Sequence, residues 1–401
     1  MISFLITAFA SCILPSSCQN VLKRRRNNMF KQYVKNEQFN LQINRFINDE
    51  YENDQKVQED LKSIIPQLKD EESWFKAWND KAIAREQDGD FSVASTYYQA
   101  SEFYLSPEDP RDENAYRKYR ENFYKGFNDF EYERYQVPYE NGYLPIVKLV
   151  TPNATKNLLL FAGYDSYMEE MVKMSKFLKG IDYNIYVFDG PGQGTALRQG
   201  IHLIHNWENP VSVILDYFNL KRASAVGMSL GGYLVMRAAA FEKRLDKIVA
   251  FDIFYSFFDA LRIRMPYNQI TKIEQLLAAK DAKTVNFMFK SMMANNLDLN
   301  WKINKGMANV GVQSPYELLK QFQKYNMEPI MPLINQDVLL LAGENDQYVP
   351  SSRLVEIDSK LINAASVKSI MFDKASGGDQ HCQAGNRQLG FDAIKEFLSN
   401  K

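Results

Sequence analysis

The sequence predicts an α/β fold, with a mostly parallel sheet covered by helices on both faces. Two observations predict it. Residues 29–130 are charged, aromatic and helical in period, and strand signals begin only after them. From residue 131 onwards, short apolar runs alternate with helical stretches, which is typical of parallel strands joined by crossover helices. We therefore divide the chain into a helical N-terminal domain, 29–130, and a core, 131–401.

Residues 1–28 form an apolar and basic extension that we expect to be disordered. The apolar run 1–14 precedes its basic cluster, 23–26, which is the reverse of a secretory signal. The run is also shorter than the roughly 18 to 20 apolar residues of a membrane-spanning helix. We predict a cytoplasmic protein, with membrane association through this segment left open.

The helical domain is predicted from side chains that recur along one helix face. Trp74, Trp78 and Ala82 are spaced by four residues, and a glycine turn at Gly89 leads into a second helix. This pair resembles one helical hairpin of the tetratricopeptide kind. A single unit cannot build a solenoid, so we interpret it as packing and not as a peptide-binding array.

The core is predicted from eight apolar or alternating runs. The first two, Glu131–Pro138 and Tyr143–Val150, are joined by a turn at 140–142. The others lie at 158–162, 183–188, 223–226, 247–251, 338–343 and 367–372. The 86 residues 252–337 are helical in pattern and too long for a simple crossover. We predict that they form a cap over the active site.

A serine nucleophile is predicted within Gly227–Gly231, a Gly-x-Ser-x-Gly motif. It lies between the strand-like run Ala223–Val226 and the helix-like run Tyr233–Ala240, which is the context of a nucleophile elbow. Such a turn exposes the hydroxyl of Ser229 and directs the first amides of the helix at it. The motif is common by chance, so the prediction also depends on an acid and a histidine that follow later strands.

The predicted base is His381. Of the three histidines, His202 and His205 precede Ser229 and have the wrong chain order for the base. We interpret both as surface or packing residues. His381 lies in the loop that follows the run 367–372, and it precedes a closing amphipathic helix, 389–398.

The predicted acid is Asp346, in the polar loop that follows the apolar run 338–343. Glu344 is the local competitor, but it lies closer to the strand end. We expect its shorter tether to prevent it from reaching the histidine.

Two backbone N–H groups are predicted to bind the oxyanion of a tetrahedral intermediate. One belongs to Leu230, next to the nucleophile. The other belongs to Tyr164, in the glycine turn after the apolar run 158–162. Because the backbone supplies the donor, the Tyr164 side chain is not required for this role.

The cap offers candidate substrate contacts at Met288 and Met292, since methionine side chains suit adaptable apolar linings. Packing of the cap helices against each other is the alternative. We expect a small substrate that is apolar or aromatic.

Several function classes are disfavoured. A net charge of −1 provides no strong field for nucleic acid. The glycine cluster 189–194 lacks the lysine of a phosphate loop, so we interpret it as a tight turn. Cys12, Cys18 and Cys382 have the spacing of neither a disulfide framework nor a metal site. We predict no metal and no organic cofactor.

With these motifs in view, the chain from Trp74 to its C-terminus resembles the α/β-hydrolases. It is similar to the group that contains 2,6-dihydroxypseudooxynicotine hydrolase, the fungal pigment-pathway hydrolases that shorten polyketides, and the more distant FrsA-like esterases. The motifs are Gly163–Tyr167, Phe188–Gly194, Gly227–Tyr233, Arg237–Glu242 and His381–Gly385. The resemblance implies an α/β-hydrolase fold, a helical domain folded over the core, a Ser229, Asp346, His381 triad and often a homodimer.

The same resemblance leaves the scissile bond open, because relatives cleave either esters or a carbon–carbon bond next to a ketone. Relatives of the second kind use an extra acidic residue near the pocket, for which Asp252 and Asp259 are candidates. The sequence therefore predicts a serine hydrolase that acts through an acyl-enzyme. The alternative is a binding or regulatory protein that kept the fold without the activity.

Overall fold

The computed structural model of the protein describes residues 30–399, so the prediction for residues 1–28 falls outside the described residues. The N-terminal part is helical. Its helices are α1 (Glu37–Ile43), extended by a π-helical segment (Asn44–Asn48) and a short helical turn (Asp49–Tyr51), α2 (Gln55–Ile64), a 3-10 turn (Ile65–Gln67), α3 (Glu71–Gln87), α4 (Phe91–Glu102) and α5 (Pro110–Gly126).

Helices α1, α2, α3 and α5 begin at capping side chains, and the N-terminal helices pack on aromatic rings. Asp70 accepts a hydrogen bond from Ser73 N–H, and the Ser73 side chain completes the capping box of α3. Trp74 and Trp78 are fully buried, with ring centroids 5.6 Å apart. The predicted spacing by four thus corresponds to a buried stripe on α3.

The core is an eight-stranded sheet in the order β1-β2-β4-β3-β5-β6-β7-β8. Its strands are β1 (Tyr132–Tyr139), β2 (Gly142–Leu149), β3 (Lys156–Phe161), β4 (Tyr183–Phe188), β5 (Ala223–Met228), β6 (Leu245–Phe251), β7 (Asp337–Gly343) and β8 (Ser366–Phe372). β2 is antiparallel to β1 and β4, and the remaining pairs are parallel. The loops after β3 to β8 therefore emerge at one edge of the sheet.

Helices cover both faces of this sheet. They are α6 (Met168–Met174), a 3-10 segment (Ser175–Leu178), α7 (Gly194–Arg198), α8 (Glu208–Tyr217), α9 (Gly231–Phe241), α15 (Arg353–Lys360) and α16 (Arg387–Ser399). One apolar cluster includes Ile214 of α8 and Leu234 of α9. Another includes Met171 of α6 and Phe391 of α16. Each face is thus buried by apolar side chains, as expected of parallel strands.

The insertion between β6 and β7 is helical. It contains α10 (Phe257–Arg264), α11 (Tyr267–Ala278), α12 (Ala282–Met293), α13 (Leu297–Val310), α14 (Pro315–Phe322) and a 3-10 turn (Met331–Leu333). The rings of Phe257 and Phe322 stack at 3.7 Å between centroids. The indole N–H of Trp301 in α13 donates to the carbonyl of Phe103, just after α4. The insertion therefore contacts the N-terminal helices as well as itself.

Across the described range 30–399, no helix has both the length and the apolar character needed to cross a membrane.

Candidate active site

Ser229 follows β5 directly and occupies a left-handed backbone conformation, with φ of +61°. Its N–H donates to the carbonyl of Phe251, at the end of β6, at 2.6 Å. A Cβ atom on Gly227 would lie 1.9 Å from the Gly231 carbonyl oxygen, and one on Gly232 would lie 1.7 Å from the Asp252 carbonyl oxygen. Glycine at both positions lets the backbones approach closely enough to form the turn.

A chain of hydrogen bonds joins three side chains that are distant in sequence. Ser229 Oγ lies 2.9 Å from His381 Nε2, and His381 Nδ1 lies 2.8 Å from Asp346 Oδ2. The other oxygen of Asp346 accepts hydrogen bonds from the N–H groups of Tyr348 and Val349, at 2.7 and 2.9 Å. The carboxylate is thereby fixed, so it can fix the tautomer and the plane of the imidazole.

Asp252 is a second carboxyl group at the same histidine. It follows β6 and is fully buried, with Oδ2 3.3 Å from His381 Nδ1. The same oxygen accepts the N–H of Cys382 at 2.7 Å, whereas Oδ1 has no hydrogen-bond partner among residues 30–399. The other candidate acid, Asp259, instead forms ion pairs with Arg353 and Arg262.

The two carboxyl groups at His381 differ in pKa. Burial, reinforced by the charge of Asp346, raises the pKa of Asp252 to about 7. Burial also opposes ionisation of Asp346, but His381 and hydrogen bonds outweigh it and lower the Asp346 pKa below its usual range. Burial lowers the pKa of His381, but the charge of Asp346, the neighbouring Cys382 and the hydrogen bonds to Asp252 and Asp346 together outweigh it and raise that pKa well above 6.5. Asp346 is thus the ionised partner of the histidine.

Asp252, His381 and Cys382 offer donor atoms within 4.8 Å of one another, a spacing compatible with a metal ion. All three groups also have protein partners: His381 Nδ1 bonds Asp346, Asp252 Oδ2 accepts the Cys382 N–H, and Cys382 Sγ donates to the Phe251 carbonyl at 3.9 Å.

The turn after β3, which carries the predicted donor Tyr164 N–H, packs closely against the backbone at Leu230, the other predicted donor. A Cβ atom on Gly163 would lie 2.6 Å from the backbone nitrogen of Leu230. No acceptor for the N–H of Leu230 or of Tyr164 is found within the part of the chain that the structure describes. The Tyr164 hydroxyl is engaged elsewhere, since it donates to the carbonyl of Lys302 in α13 at 2.7 Å.

A cavity of about 570 Å³ opens onto Ser229 and His381. One wall is apolar and comes from the insertion, including Phe254, Phe257, Leu261, Met265 and Phe322. The opposite wall is more polar and comes from α1 and the segment after it, including Gln38, Gln42 and Arg45. Its size and mixed lining are typical of a small-molecule site.

Met288 and Met292 do not line this cavity, so the prediction that they contact substrate is wrong. Both are partly buried against the apolar cluster that includes the cap helices. The apolar face of α12 packs on α11 and α14, while Phe287 on its other side is 74 % exposed. The alternative interpretation, core packing of the cap, describes these residues correctly.

The other histidines, the competing acid Glu344 and the glycine cluster 189–194 take no part in the hydrogen-bonded series Ser229, His381, Asp346. His202 is exposed near Gly311, and the His205 ring packs edge-on against Tyr325 at 6.1 Å. Glu344 is exposed, and His381 Nδ1 bonds Asp346 instead. The carboxylate of Asp189, in the glycine cluster, accepts the N–H groups of Met168 and Thr195 and closes a turn.

Comparisons with known proteins agree with this architecture. A sequence model described as the alpha/beta hydrolase fold matches residues 158–375. Hydrolase LUC6 of a Fusarium species and 20-hydroxy-prefusarin hydrolase FUS2 of Gibberella moniliformis are each 30% identical over 298 residues, covering 65% of this chain and 70% of the relative.

Two solved structures share the fold at low sequence identity. The crystal structure of 2,6-dihydroxy-pseudo-oxynicotine hydrolase is 18% identical, with a TM-score of 0.61 over 85% of this chain and 93% of that one. AbyA5 is 16% identical, with a TM-score of 0.62 over 86% and 90%. The chain belongs to the α/β-hydrolase family and is an enzyme, a hydrolase, rather than the non-catalytic binding protein that the sequence left open.

Proposed function

We propose that this hydrolase acts through a covalent acyl-enzyme on Ser229, with His381 as general base and Asp346 as its orienting carboxylate. The observation that carries the proposal is the hydrogen-bonded series Ser229, His381, Asp346, with distances of 2.9 and 2.8 Å, at the floor of the cavity. The left-handed turn at Ser229 presents the hydroxyl at the carboxyl edge of the sheet.

In this mechanism His381 removes the Ser229 proton as Oγ attacks a substrate carbonyl. The carbonyl oxygen becomes an oxyanion and accepts hydrogen bonds from the N–H groups of Leu230 and Tyr164. Collapse breaks the bond to the leaving group, which takes its proton from His381. Water then attacks the acyl-enzyme, His381 takes a proton from it, and the carboxylic acid and free Ser229 result.

The substrate we propose is a small molecule with an apolar or aromatic part. The apolar wall of the cavity, with Phe254, Phe257 and Phe322, supports this. So do the relatives, because one is named for 20-hydroxy-prefusarin and a structural neighbour for 2,6-dihydroxy-pseudo-oxynicotine. The scissile bond is an ester or a carbon–carbon bond next to a ketone, since an alkoxide or a stabilised carbanion leaves in the same step.

The decisive experiment combines covalent labelling with turnover. A fluorophosphonate probe should label the wild type and not Ser229→Ala, and kcat should fall by at least about 10⁴-fold in that variant. Ser224→Ala is the matched control. Ser224 is a buried serine of β5, the strand that precedes Ser229, and its hydroxyl donates to Asp246. Undiminished turnover by Ser229→Ala on every substrate would refute the proposal.

The bond type is tested by parallel assays on aryl esters of graded acyl length and on a 1,3-diketone. Turnover of the diketone with kcat/KM above that of every ester would assign carbon–carbon hydrolysis, and the opposite order would assign an esterase. The cytoplasmic location and the homodimer stay predictions, to be checked by fractionation and by sedimentation.

A further inference from the structure

We infer that Gln193 is a positioning residue that sets the direction of the oxyanion donor Tyr164 N–H. Gln193 belongs to the glycine cluster 189–194, which the sequence predicts to be only a tight turn. This inference rests on the proposed function, because it assigns a task to the oxyanion donors of that mechanism.

The Gln193 side chain is 3 % exposed and all its close hydrogen bonds go to backbone groups. Its Nε2 donates to the carbonyl oxygens of Ala162 and Gly163, both at 2.8 Å. Its Oε1 accepts the N–H of Gly190 at 2.9 Å. The orientation of the amide follows from these partners, because a backbone N–H can only donate and a carbonyl can only accept.

The bond to Gly163 acts directly on the oxyanion donor. The carbonyl of Gly163 and the N–H of Tyr164 belong to one planar peptide unit and point in opposite directions. Fixing the carbonyl oxygen therefore fixes the direction of the N–H, which points away from Gln193. Donors of this kind stabilise the transition state only if they are already aimed at the oxyanion.

Other contacts of the same loop act on different peptide units. Asn309 donates to the carbonyl of Tyr164 at 2.8 Å, which belongs to the next unit along the chain. Arg45 bonds the side chains of Asp165 and Ser166, further on. Among the residues that the structure describes, Gln193 is thus the side chain that hydrogen-bonds to the peptide unit carrying the Tyr164 N–H.

The glycine cluster holds Gln193 in this place. Gly192 has φ of +80°, and a Cβ atom there would lie 2.3 Å from Leu203 Cβ. A Cβ atom on Gly194 would lie 2.0 Å from Asp189 Oδ2, the carboxylate that closes the turn. The cluster lies after β4, which pairs with β3 in the sheet, so its turn faces the loop after β3.

Glutamine suits this position because it offers two donors and one acceptor at the end of three torsions. Methionine has similar length without a donor. Glutamate would place a carboxylate against two carbonyl oxygens. Both substitutions remove the hydrogen bond from Gln193 Nε2 to the Gly163 carbonyl. Methionine makes the side chain apolar, whereas glutamate makes it acidic.

The test compares Gln193→Met with Gln336→Met. Gln336 is an equivalent buried glutamine away from the cavity, since its Nε2 donates to the Ala239 carbonyl and its Oε1 accepts the N–H of Asn335. We expect kcat to fall by about 10- to 100-fold in Gln193→Met, with KM changed less than about threefold. We expect both constants to be unchanged in Gln336→Met.

A second readout separates positioning from loss of structure. A trifluoromethyl ketone forms a tetrahedral adduct with Ser229, so its affinity should fall in Gln193→Met by the same factor as kcat/KM. An unreactive substrate analogue should bind all variants equally. Melting temperatures should fall by similar amounts in Gln193→Met and Gln336→Met. If Gln193→Met does not fold, Gln193→Glu replaces it in the same measurements.

Equal ketone affinity in the wild type and a folded Gln193 variant would overturn the inference, as would equal kcat values for the two methionine variants. Failure of the wild type to form any adduct on Ser229 would instead overturn the proposed function. The two failures are therefore distinguishable.

Discussion

Two of the pairs of buried carboxyl groups in the described residues differ instructively in their surroundings. Asp252 and Asp346 lie beside His381 at the sheet edge, as described above. Glu102 and Asp112 lie where α4 and α5 meet α7, and Arg198 of α7 donates to Asp112 at 2.6 Å. Burial and the charge of Glu102 raise the pKa of Asp112 to about 8. Burial opposes ionisation of Glu102, but Lys305 and Arg198 outweigh it and lower its pKa.

The ionised member of each pair faces a different kind of partner. Asp346 faces an imidazole whose second nitrogen reaches the Ser229 hydroxyl and the cavity. Glu102 faces cations and the hydroxyl of Tyr167, and neither it nor Asp112 lines the cavity. A perturbed pKa therefore identifies buried charge in both places. A nucleophile and room for a substrate distinguish the site at the sheet edge.

Among variants of these two pairs, the largest expected effect is at the sheet edge. Asp346→Asn should lower kcat by about 10³-fold, because the amide no longer favours the imidazole tautomer that accepts the Ser229 proton. Steady-state kinetics measure the loss. The control Glu344→Gln should retain wild-type kcat, since that side chain is exposed. If Glu344→Gln were the more damaging variant, the assignment of the acid would be wrong.

Asp252→Asn should shift the pH profile. The hydrogen bond from His381 to Asp252 contributes to the raised pKa of the imidazole, so its loss should lower that pKa. The rising limb of kcat/KM against pH should then move to lower pH. The plateau should fall less than about tenfold, because Asp346 still orients the ring. Asp259→Asn should leave the limb in place, and an unmoved limb in Asp252→Asn would contradict the prediction.

The helical pair should affect stability and not catalysis. The pKa of Asp112 is about 8 in the folded protein, and its ordinary value is 3.8. Between pH 3.8 and about 8, Asp112 therefore holds a proton in the folded protein that it has lost in the unfolded chain. Stability from this group is thus lost as pH rises, by up to about 1.4 kcal/mol per pH unit. Asp112→Asn should remove that slope and leave kcat unchanged.

Urea denaturation followed by tryptophan fluorescence at pH 5, 6, 7 and 8 measures this slope. Glu113→Gln is the matched control, because Glu113 also pairs with Arg198 but is 72% exposed in its side chain. An unchanged slope in Asp112→Asn would show that Asp112 is not the group that binds the proton.

The smallest expected effect concerns Tyr164. Tyr164→Phe removes the hydrogen bond to the Lys302 carbonyl and should lower the free energy of unfolding by about 1 kcal/mol. The backbone donor remains, so kcat should change less than about threefold. A tenfold loss of kcat in this variant would instead assign a catalytic task to the phenol.

The strands and the relay could be predicted from the sequence because their signals are local. All eight strands occur where apolar runs predict them, with ends displaced by at most two residues. Ser229, Asp346 and His381 each follow a strand in the required chain order, and parallel strands bring such loops to one edge.

Other features depend on which elements are neighbours in space. Asp252 follows β6 and His381 follows β8, with β7 between these two strands in the sheet. Their contact therefore depends on the strand order and on the path of the loop after β8, which the sequence does not state. Gln193 could have been noticed as a polar side chain within a glycine cluster, but its partners belong to the loop after β3. For Met288 and Met292, the composition of α12 did not indicate that this helix packs within the cap and is absent from the cavity lining.

The origin of the cavity walls has a practical consequence for enzyme engineering. The groups that we propose to react are held by loops of the sheet, whereas Leu261, Met265, Leu299 and Phe322 belong to the insertion. Under the proposed mechanism, a mutant library confined to these four side chains should alter which acyl groups are accepted and leave the chemical steps intact. Selectivity and reactivity would then be encoded in separate stretches of polypeptide, so that either could be changed independently.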